Sequence, residues 1–242
     1  MTSITRLAAL AADGRTPRRA ASASGYTTYM SRRAIITGAS GGLGVVVSKA
    51  FAEAGWDVAG LDRGSGADLS QADTARAAVD AAVAKLGGLD AVIHLVGGFT
   101  LGSMAEAGDD SWARMWTLNF QSALYVMRSS VAALTANCGG AIVVIGSKAG
   151  LEPSPGLTPY AVSKAALHAL VQCAAAELSG TGITVNAVLP STIDTPANRA
   201  AMPDADPARW VKPEHIASLL LWMASPAGRD MSGALVPLTG EA

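Results

Sequence analysis

The chain has 242 residues, a formal net charge of −1, 50% hydrophobic residues and 15% charged residues. This length fits a single α/β domain, and the near-neutral charge excludes the basic field that is typical of nucleic-acid-binding proteins. Its apolar runs are shorter than the ~20 residues that a helix needs to span a bilayer, so no membrane association is expected.

Residues 1–30 differ in composition from the rest of the chain. They contain several arginines, a single acidic residue and many alanines, serines and threonines, a composition that resembles an organellar targeting segment. A disordered tail, or a start codon upstream of the natural one at Met30, explains the same composition. We favour these two readings over targeting.

From residue 33, short β-rich runs alternate with helical stretches. Strands are predicted at 33–37, 57–61, 91–95, 141–145, 183–189 and 234–238. Helices are predicted at 43–54, 73–86, 110–135, 160–179 and 213–224. This alternation predicts one α/β domain over 31–242, with a Rossmann-type, doubly wound, mainly parallel sheet and helices on both faces. Apolar residues on more than one face of the helices at 110–135 and 160–179 favour a homo-oligomer, a tetramer or a dimer.

The first predicted strand leads into the sequence IITGASGGLG, residues 35–44, which opens the first helix. Glycine allows positive φ and a close approach of the backbone to a ligand, and a helix N-terminus offers N–H groups and a positive dipole end to a pyrophosphate. The alternative is a tight structural turn. The residues of this loop predicted to bind a dinucleotide are Gly38, Ser40, Gly41, Gly42, Leu43 and Gly44.

The second predicted strand ends at an acidic residue, Asp62, about 20 residues beyond the glycine loop. A carboxylate in this place accepts hydrogen bonds from a ribose diol and repels a 2′-phosphate, which favours NAD(H) over NADP(H). Arg63 points the other way, because a guanidinium pairs well with that phosphate. A third reading makes Asp62 a turn residue before Gly64.

Four polar residues suggest proton chemistry. Tyr160 and Lys164 are four positions apart on a predicted helix, so their side chains share one face. A nearby ammonium lowers the pKa of a phenol from about 10 and makes it a better general acid or base. Ser147 follows the strand at 141–145, where ligands of open parallel sheets bind, and its hydroxyl is placed to orient a substrate oxygen. Asn119 is the fourth candidate, with a structural role in its helix as the alternative.

The segment 191–213 contains four prolines and little periodicity. A long irregular segment in a compact domain is often a lid, and Met202 and Trp210 suggest that it closes over something apolar. Other apolar residues are candidates for the same cleft, namely Phe99, Met104, Trp112 and Trp116. The three histidines and the two cysteines lack ligand spacing, so no metal site is expected. His168 is expected at the helix surface or in an interface. Unpaired thiols are typical of a reducing compartment, here the cytoplasm.

The pattern Thr37-Gly38-x-x-x-Gly42-x-Gly44, followed by Asn119, Ser147, Tyr160 and Lys164, resembles the classical short-chain dehydrogenase/reductase family over residues 32–240. The resemblance implies that Lys164 holds the nicotinamide ribose and that Asn119 anchors a water for a proton relay. It places Asp68 and Leu69 at the adenine. It also assigns the cofactor further contacts from Val96, Gly97, Gly98, Pro190, Ile193 and Thr195.

The sequence departs from the family pattern at three points. Leu95-Val96-Gly97 stands where the family often has Asn-Ala-Gly, and Ser191 follows Pro190 where a glycine is usual. The stretch between Asp62 and Asp68 is too short for a full helix and leaves little of a further strand. These departures affect the adenosine contacts rather than the reaction class.

We therefore expect an NAD(P)-dependent oxidoreductase that transfers a hydride between nicotinamide and a carbonyl or alcohol carbon of a small, apolar substrate. The C-terminal half, with VLPSTIDTPANRAAMPDAD, also resembles dihydropteridine reductase, which makes reduction of a C=N bond the first alternative. That enzyme group lacks the serine that this chain has as Ser147, so the likeness concerns ancestry more than substrate. An alternative of another class is a dinucleotide-binding sensor without turnover.

Overall fold

The computed structural model describes residues 31–240, so the expectations for residues 1–30 lie outside the described part. Six strands form one sheet in the order β2-β1-β3-β4-β5-β6, and all five neighbouring pairs are parallel. The strands are β1 (Arg32–Thr37), β2 (Trp56–Leu61), β3 (Ala91–His94), β4 (Gly140–Ile145), β5 (Ile183–Pro190) and β6 (Leu235–Leu238). The predicted fold class is confirmed.

The helices lie where the sequence pattern predicts them, with two differences: one predicted helix is divided, and a short helix at Pro196–Ala201 was not predicted. They are α1 (Gly42–Glu53), α2 (Ala72–Leu86), α3 (Asp109–Trp116), α4 (Ser122–Ala136), α5 (Thr158–Glu177), α6 (Pro196–Ala201) and α7 (Pro213–Met223). The helix expected as one piece over 110–135 is divided by a π-helical turn at Thr117–Gln121. Single π turns in α-helices are often found at functional sites.

The sheet has a buried core on each face. Alternate residues of a strand point to opposite faces: Ile35 and Val92 belong to one apolar cluster, whereas Ile36 and Ile93 belong to the other. All four are fully buried. Strands covered on both faces read as continuous apolar runs, which is why these strands could be recognised in the sequence.

The carboxyl ends of the central strands meet at one edge of the sheet. Gly38 follows β1, the segment at 95–98 follows β3, and Ser147 comes two residues after β4. In open α/β sheets this edge is the place where ligands bind. The topology therefore brings together the predicted glycine loop and the predicted polar residues.

The segment at 191–213 is more ordered than its sequence pattern indicates. It contains α6 and a 3-10 turn at Pro207–Arg209. Asp194 forms ion pairs with Arg199 at 2.6 Å and with Lys212 at 2.9 Å, and the Lys212 ammonium also donates to the carbonyl of Pro207. We call these three charged side chains the Asp194 cluster; together they tie the two ends of the segment to each other.

Candidate active site

The glycine loop leaves the N-terminus of α1 open. Gly38 has φ +67°, which favours glycine, and its carbonyl accepts a hydrogen bond from the Gly41 N–H. A Cβ at Gly44 would come within 2.0 Å of the same carbonyl, so only glycine fits where the helix turns back on the loop. No side chain caps α1 at Gly41, and Ser40, Gly41 and Gly42 are exposed. The free N–H groups of this helix end suit an anionic group.

Asp62 lies directly beside this loop. One of its carboxylate oxygens accepts from the Ser40 N–H at 3.0 Å, and the other accepts from the Ser65 N–H at 2.9 Å. The Ser40 side chain is the largest of the contacts that lower the pKa of Asp62, ahead of the backbone N–H groups of Ser65 and Ser40, so the group is a carboxylate at neutral pH. Arg63 is exposed and lowers the pKa of Asp68 through its charge, after the stronger effect of Ser70. Leu69 is buried in the core.

Tyr160 and Lys164 occupy the first two turns of α5 and face the end of β4. The Lys164 ammonium is 4% exposed and donates to the carbonyl of Ile145, the last residue of that strand, at 2.8 Å. Ser147 is 7% exposed. Its hydroxyl lies close enough to the Tyr160 phenol to lower the pKa of that group. The serine, the phenol and the ammonium thus meet at the edge where strands β1, β3 and β4 end.

The protonation behaviour of this pair differs from the expectation. Burial raises the pKa of Tyr160, and the opposing effect comes from the Ser147 hydroxyl rather than from Lys164. Burial also lowers the pKa of Lys164 to about 8, because the protein interior disfavours the charged ammonium. In the protein alone, desolvation outweighs the attraction between the ammonium and a phenolate.

Asn119 sits at the centre of the π turn and is fully buried. Its side-chain oxygen accepts from the Gly98 N–H at 2.8 Å, and its amide donates to the Gly98 carbonyl and to the Ser163 hydroxyl, both at 3.0 Å. Both amide hydrogens are therefore engaged within the protein. This side chain positions the loop after β3 and links it to α5.

The loop after β3 passes close to Lys164. A Cβ at Gly97 would lie 3.0 Å from the Asn119 side-chain oxygen and 3.3 Å from the Lys164 nitrogen. Val96 packs against the core. Glycine at this point lets the backbone approach the ammonium, so Gly97 and Gly98 lie beside the polar group.

The segment after β5 borders the glycine loop from the other side. Thr195 caps α6, and its Cβ would be 3.3 Å from a Cβ placed on Gly42. Ile193 pairs with Val211 and accepts a hydrogen bond from the Asn198 side chain. Pro190 ends β5 and is buried. Thr195 is the residue of this segment that the structure places against the predicted pyrophosphate loop.

The apolar residues proposed for a cleft differ in exposure. Trp210 is 8% exposed and is packed within the protein, and Trp112 is partly buried. Phe99, Met104, Trp116 and Met202 are exposed. Phe99 makes an edge-on ring contact with Tyr160 at 5.0 Å between centroids, so one exposed aromatic ring stands directly beside the phenol.

Sequence reasoning missed the position of His168. The side chain is 3% exposed, and its ring lies inside the loop that carries Ser147 rather than at the surface. The available signal was its spacing of four residues after Lys164, which puts it on the same face of α5. The Asp194 cluster was missed as well, because its members are up to 18 residues apart in an irregular segment.

Residues 31–240 contain no group of three or more His, Cys, Asp or Glu side chains able to hold a metal ion. Over the same residues, no helix combines the length and the apolar character needed to cross a membrane.

Comparison with known proteins gives a consistent result. A family model described as enoyl-(acyl carrier protein) reductase matches residues 38–240. Galactitol 2-dehydrogenase of Rhizobium johnstonii is 36% identical over 239 residues, which covers 84% of this chain and 92% of that protein.

Solved structures show the same fold. A short-chain type dehydrogenase/reductase from Mycobacterium ulcerans aligns with a TM-score of 0.80 at 24% identity, covering 88% of this chain and 90% of that one. NAD+-bound xylitol dehydrogenase aligns with a TM-score of 0.78 at 22% identity, covering 86% of this chain and 98% of that one. With its glycine loop and its Ser147, Tyr160 and Lys164 at one sheet edge, the chain belongs to the short-chain dehydrogenase/reductase family and is an NAD(P)-dependent oxidoreductase.

Proposed function

We propose that the chain transfers a hydride between NAD(H) and a carbonyl or alcohol carbon of a small, apolar substrate. Ser147 orients the substrate oxygen, Tyr160 exchanges a proton with it, and Lys164 binds the nicotinamide ribose. The observation that carries this proposal is the meeting of these three side chains beside Gly97 at the carboxyl edge of the sheet.

The residues present fit a dinucleotide. The uncapped N-terminus of α1 and the exposed backbone at 40–42 suit a pyrophosphate, while Gly97 leaves space beside the Lys164 ammonium. Bound nicotinamide supplies or accepts the hydride. Further contacts with the cofactor come from Asp68, Leu69, Ile193 and Thr195. Asn119 supports a proton relay through a water molecule.

The proton step depends on the environment of Tyr160. Negative charge that develops on the substrate oxygen needs a donor within hydrogen-bond reach, and the Ser147 hydroxyl can stabilise the same oxygen. Because burial holds the phenol protonated, Tyr160 is ready to act as an acid in carbonyl reduction. In alcohol oxidation it must first lose its proton, which the Ser147 hydroxyl favours.

The preference for NAD(H) rests on Asp62. Its carboxylate is held beside the glycine loop by Ser40 and repels a 2′-phosphate. The structurally similar xylitol dehydrogenase was solved with NAD+, in agreement with this preference.

An apolar substrate is favoured by the exposed ring of Phe99 beside Tyr160. The relative from Rhizobium johnstonii acts on a polyol, galactitol, so polyols form a second candidate class. A panel of apolar ketones, polyols and a quinonoid dihydropterin, assayed with NADH and NAD+, separates these classes. Turnover of the dihydropterin alone would favour C=N reduction. Membership of this family of oxidoreductases argues against a sensor without turnover.

The lid, the oligomeric state and the location are properties of the whole protein. The segment at 191–213 acts as the substrate lid, anchored by the Asp194 cluster. The chain forms a homo-oligomer, a dimer or tetramer, for which sedimentation equilibrium is the direct test. Its described cysteines, Cys138 and Cys173, are both free thiols, which fits a cytoplasmic location.

The Tyr160→Phe variant tests the central assignment. Removal of the hydroxyl eliminates the proton donor, so we expect kcat to fall about 100-fold or more, with the Kd for NADH unchanged. The Tyr125→Phe substitution, at a partly buried position of α4 away from the strand edge, is the matched control and keeps full activity. Wild-type turnover by Tyr160→Phe on every compound of the panel would exclude Tyr160 as the acid.

A further inference from the structure

The loop after β4 is wrapped around the ring of His168. A Cβ at Gly146 would lie 2.6 Å from His168 Nε2, and a Cβ at Gly150 would lie 2.5 Å from its Cε1. Neither glycine has a positive φ, so the space taken by the ring, rather than the backbone conformation, explains why glycine stands on both sides of Ser147. The ring therefore determines how closely this loop packs against α5.

His168 also contacts the serine directly through the backbone. The Ser147 N–H donates to His168 Nε2 at 3.4 Å. A nitrogen that accepts a hydrogen bond carries no proton, so in the neutral ring the proton must be on Nδ1. That Nδ1 is buried and finds no hydrogen-bond partner among the described residues. An unsatisfied buried donor costs stability. This cost indicates that the hydrogen bond accepted by Nε2 from Ser147 is what favours a histidine at this position.

We propose that His168 is a positioning residue for Ser147: its ring fixes the backbone of the serine loop and thereby directs the Ser147 hydroxyl toward Tyr160. This inference rests on the proposed function, in which Ser147 orients the substrate oxygen. His168 itself does not touch the substrate. It acts on the reaction only through the position of Ser147.

The charges around His168 agree with this role. The ring lies on the same face of α5 as Lys164, and the nearby ammonium disfavours a second positive charge on the imidazole. Burial acts in the same direction and more strongly. The ring is therefore neutral over the pH range in which the enzyme works, and its acceptor nitrogen stays available to the Ser147 N–H.

The tautomer of His168 gives a test that needs no substrate. In wild-type protein labelled with 15N-histidine, we expect His168 in the Nδ1–H form. His94 provides an internal reference of the opposite kind. The Ser122 hydroxyl donates to the Leu118 carbonyl and must accept from His94 Nε2–H, while Thr37 accepts from the Leu95 N–H and donates to His94 Nδ1.

Long-range 15N–1H correlation spectra distinguish the two tautomers, and the His168→Gln and His94→Asn variants assign the signals. An Nε2–H form of His168 would overturn the inference, because that nitrogen could then not accept from Ser147.

Kinetics of three variants test the consequence for catalysis. His168→Leu fills the space but lacks the acceptor, and we expect its kcat to fall about 10- to 100-fold on the best compound of the panel, with the Kd for NADH unchanged. His168→Gln can place its carbonyl oxygen near the lost Nε2 and should recover most of this loss. His215→Leu makes the same change at an exposed position of α7 and should leave kcat unaltered.

The outcomes separate this inference from the proposed function. If Ser147→Ala is inactive and His168→Leu retains wild-type kcat, the positioning role is wrong while the serine assignment stands. If Ser147→Ala is fully active, the proposed role of the serine fails. Equal losses in His168→Gln and His168→Leu that follow their melting temperatures would mean a merely structural role, and would overturn the inference.

Discussion

Single side chains at this site behave differently in the protein than they do in water. Burial lowers the pKa of Lys164 to about 8 and raises that of Tyr160, against the smaller opposing effect of the Ser147 hydroxyl. Desolvation is the larger effect because the ammonium is almost completely buried and donates to a neutral carbonyl. A negatively polarised substrate oxygen beside Tyr160 would shift this balance.

Asp62 carries a prediction of cofactor preference. Asp62→Asn keeps an acceptor for the Ser40 N–H and removes the negative charge, so the repulsion of a 2′-phosphate is lost. We expect the ratio of the Kd for NADPH to the Kd for NADH to fall about tenfold, an effect that weakens at high salt. Fluorescence titrations measure both constants. Asp80→Asn, an exposed change on α2, is the charge-matched control, and an unchanged ratio in Asp62→Asn would contradict the assignment.

Residue spacing gave the placement of Tyr160 and Lys164 on one helical face before any coordinates, because the four-residue period fixes it. The same spacing extends to His168, but spacing alone does not tell which side of a helix a loop covers. Gly146 and Gly150 lack a Cβ because the His168 ring lies between them, and this reason is visible only in the structure. The direction of the Tyr160 pKa shift was likewise beyond the sequence, since it depends on burial.

The elements that carry the site are shaped by tertiary contacts. The continuous apolar pattern over 110–135 predicts one helix, but the Asn119 side chain bonds to Gly98 in a different element, and the helix takes up a π turn at that point. A local pattern cannot reveal a contact between residues 21 positions apart. The short helix α6 escaped prediction for a related reason, because six residues are too few for periodicity to show.

The Asp194 cluster predicts the stability of the segment at 191–213. Asp194→Asn removes the charge that holds Arg199 and Lys212, so the segment should open more often. We expect trypsin to cut after Arg199 or Arg209 roughly fivefold faster under native conditions. Mass spectrometry of the fragments identifies the sites. Asp204→Asn, exposed within the same segment, is the control, and equal cleavage rates in the two variants would refute the anchoring role.

At the scale of the whole molecule, a buried polar chain around His94 joins the two strands β1 and β3 to helix α4. The ring is fully buried and hydrogen-bonded to Thr37 at 3.0 Å and to Ser122 at 3.2 Å. Burial lowers the pKa of His94 to about 3, with a smaller contribution from the charge of Lys164. The folded protein therefore holds this histidine neutral well below the pH at which the unfolded chain protonates it, near 6.5.

This arrangement predicts a loss of stability in acid. Between pH 6.5 and about 3 the unfolded chain binds a proton at His94 that the folded protein does not, so the free energy of unfolding decreases as the pH falls through this window. Denaturant unfolding at several pH values measures the slope. His94→Asn should flatten it, whereas Ser122→Ala removes the same hydrogen bond without removing the titrating group and should keep the wild-type slope. Equal slopes in all three proteins would contradict the prediction.

The overall architecture was the part most accessible from sequence. Strands buried on both faces are continuous apolar runs, and their regular alternation with helices leaves few arrangements other than a parallel sheet. The order of the strands depends on long-range pairing and is not encoded in any one segment.

Strand β2 lies at the outer edge of the described sheet and pairs only with β1. The chain then passes through a single 3-10 turn at Arg63–Ser65 on its way to α2, instead of adding another strand. The register of the strands β3, β4, β5 and β6 does not depend on contacts at this edge. Extra residues introduced just after Gly66 would therefore leave the pairing of β1, β3, β4 and β5 intact, but they would separate Asp62 from Asp68 and Leu69 and should weaken dinucleotide binding without unfolding the sheet.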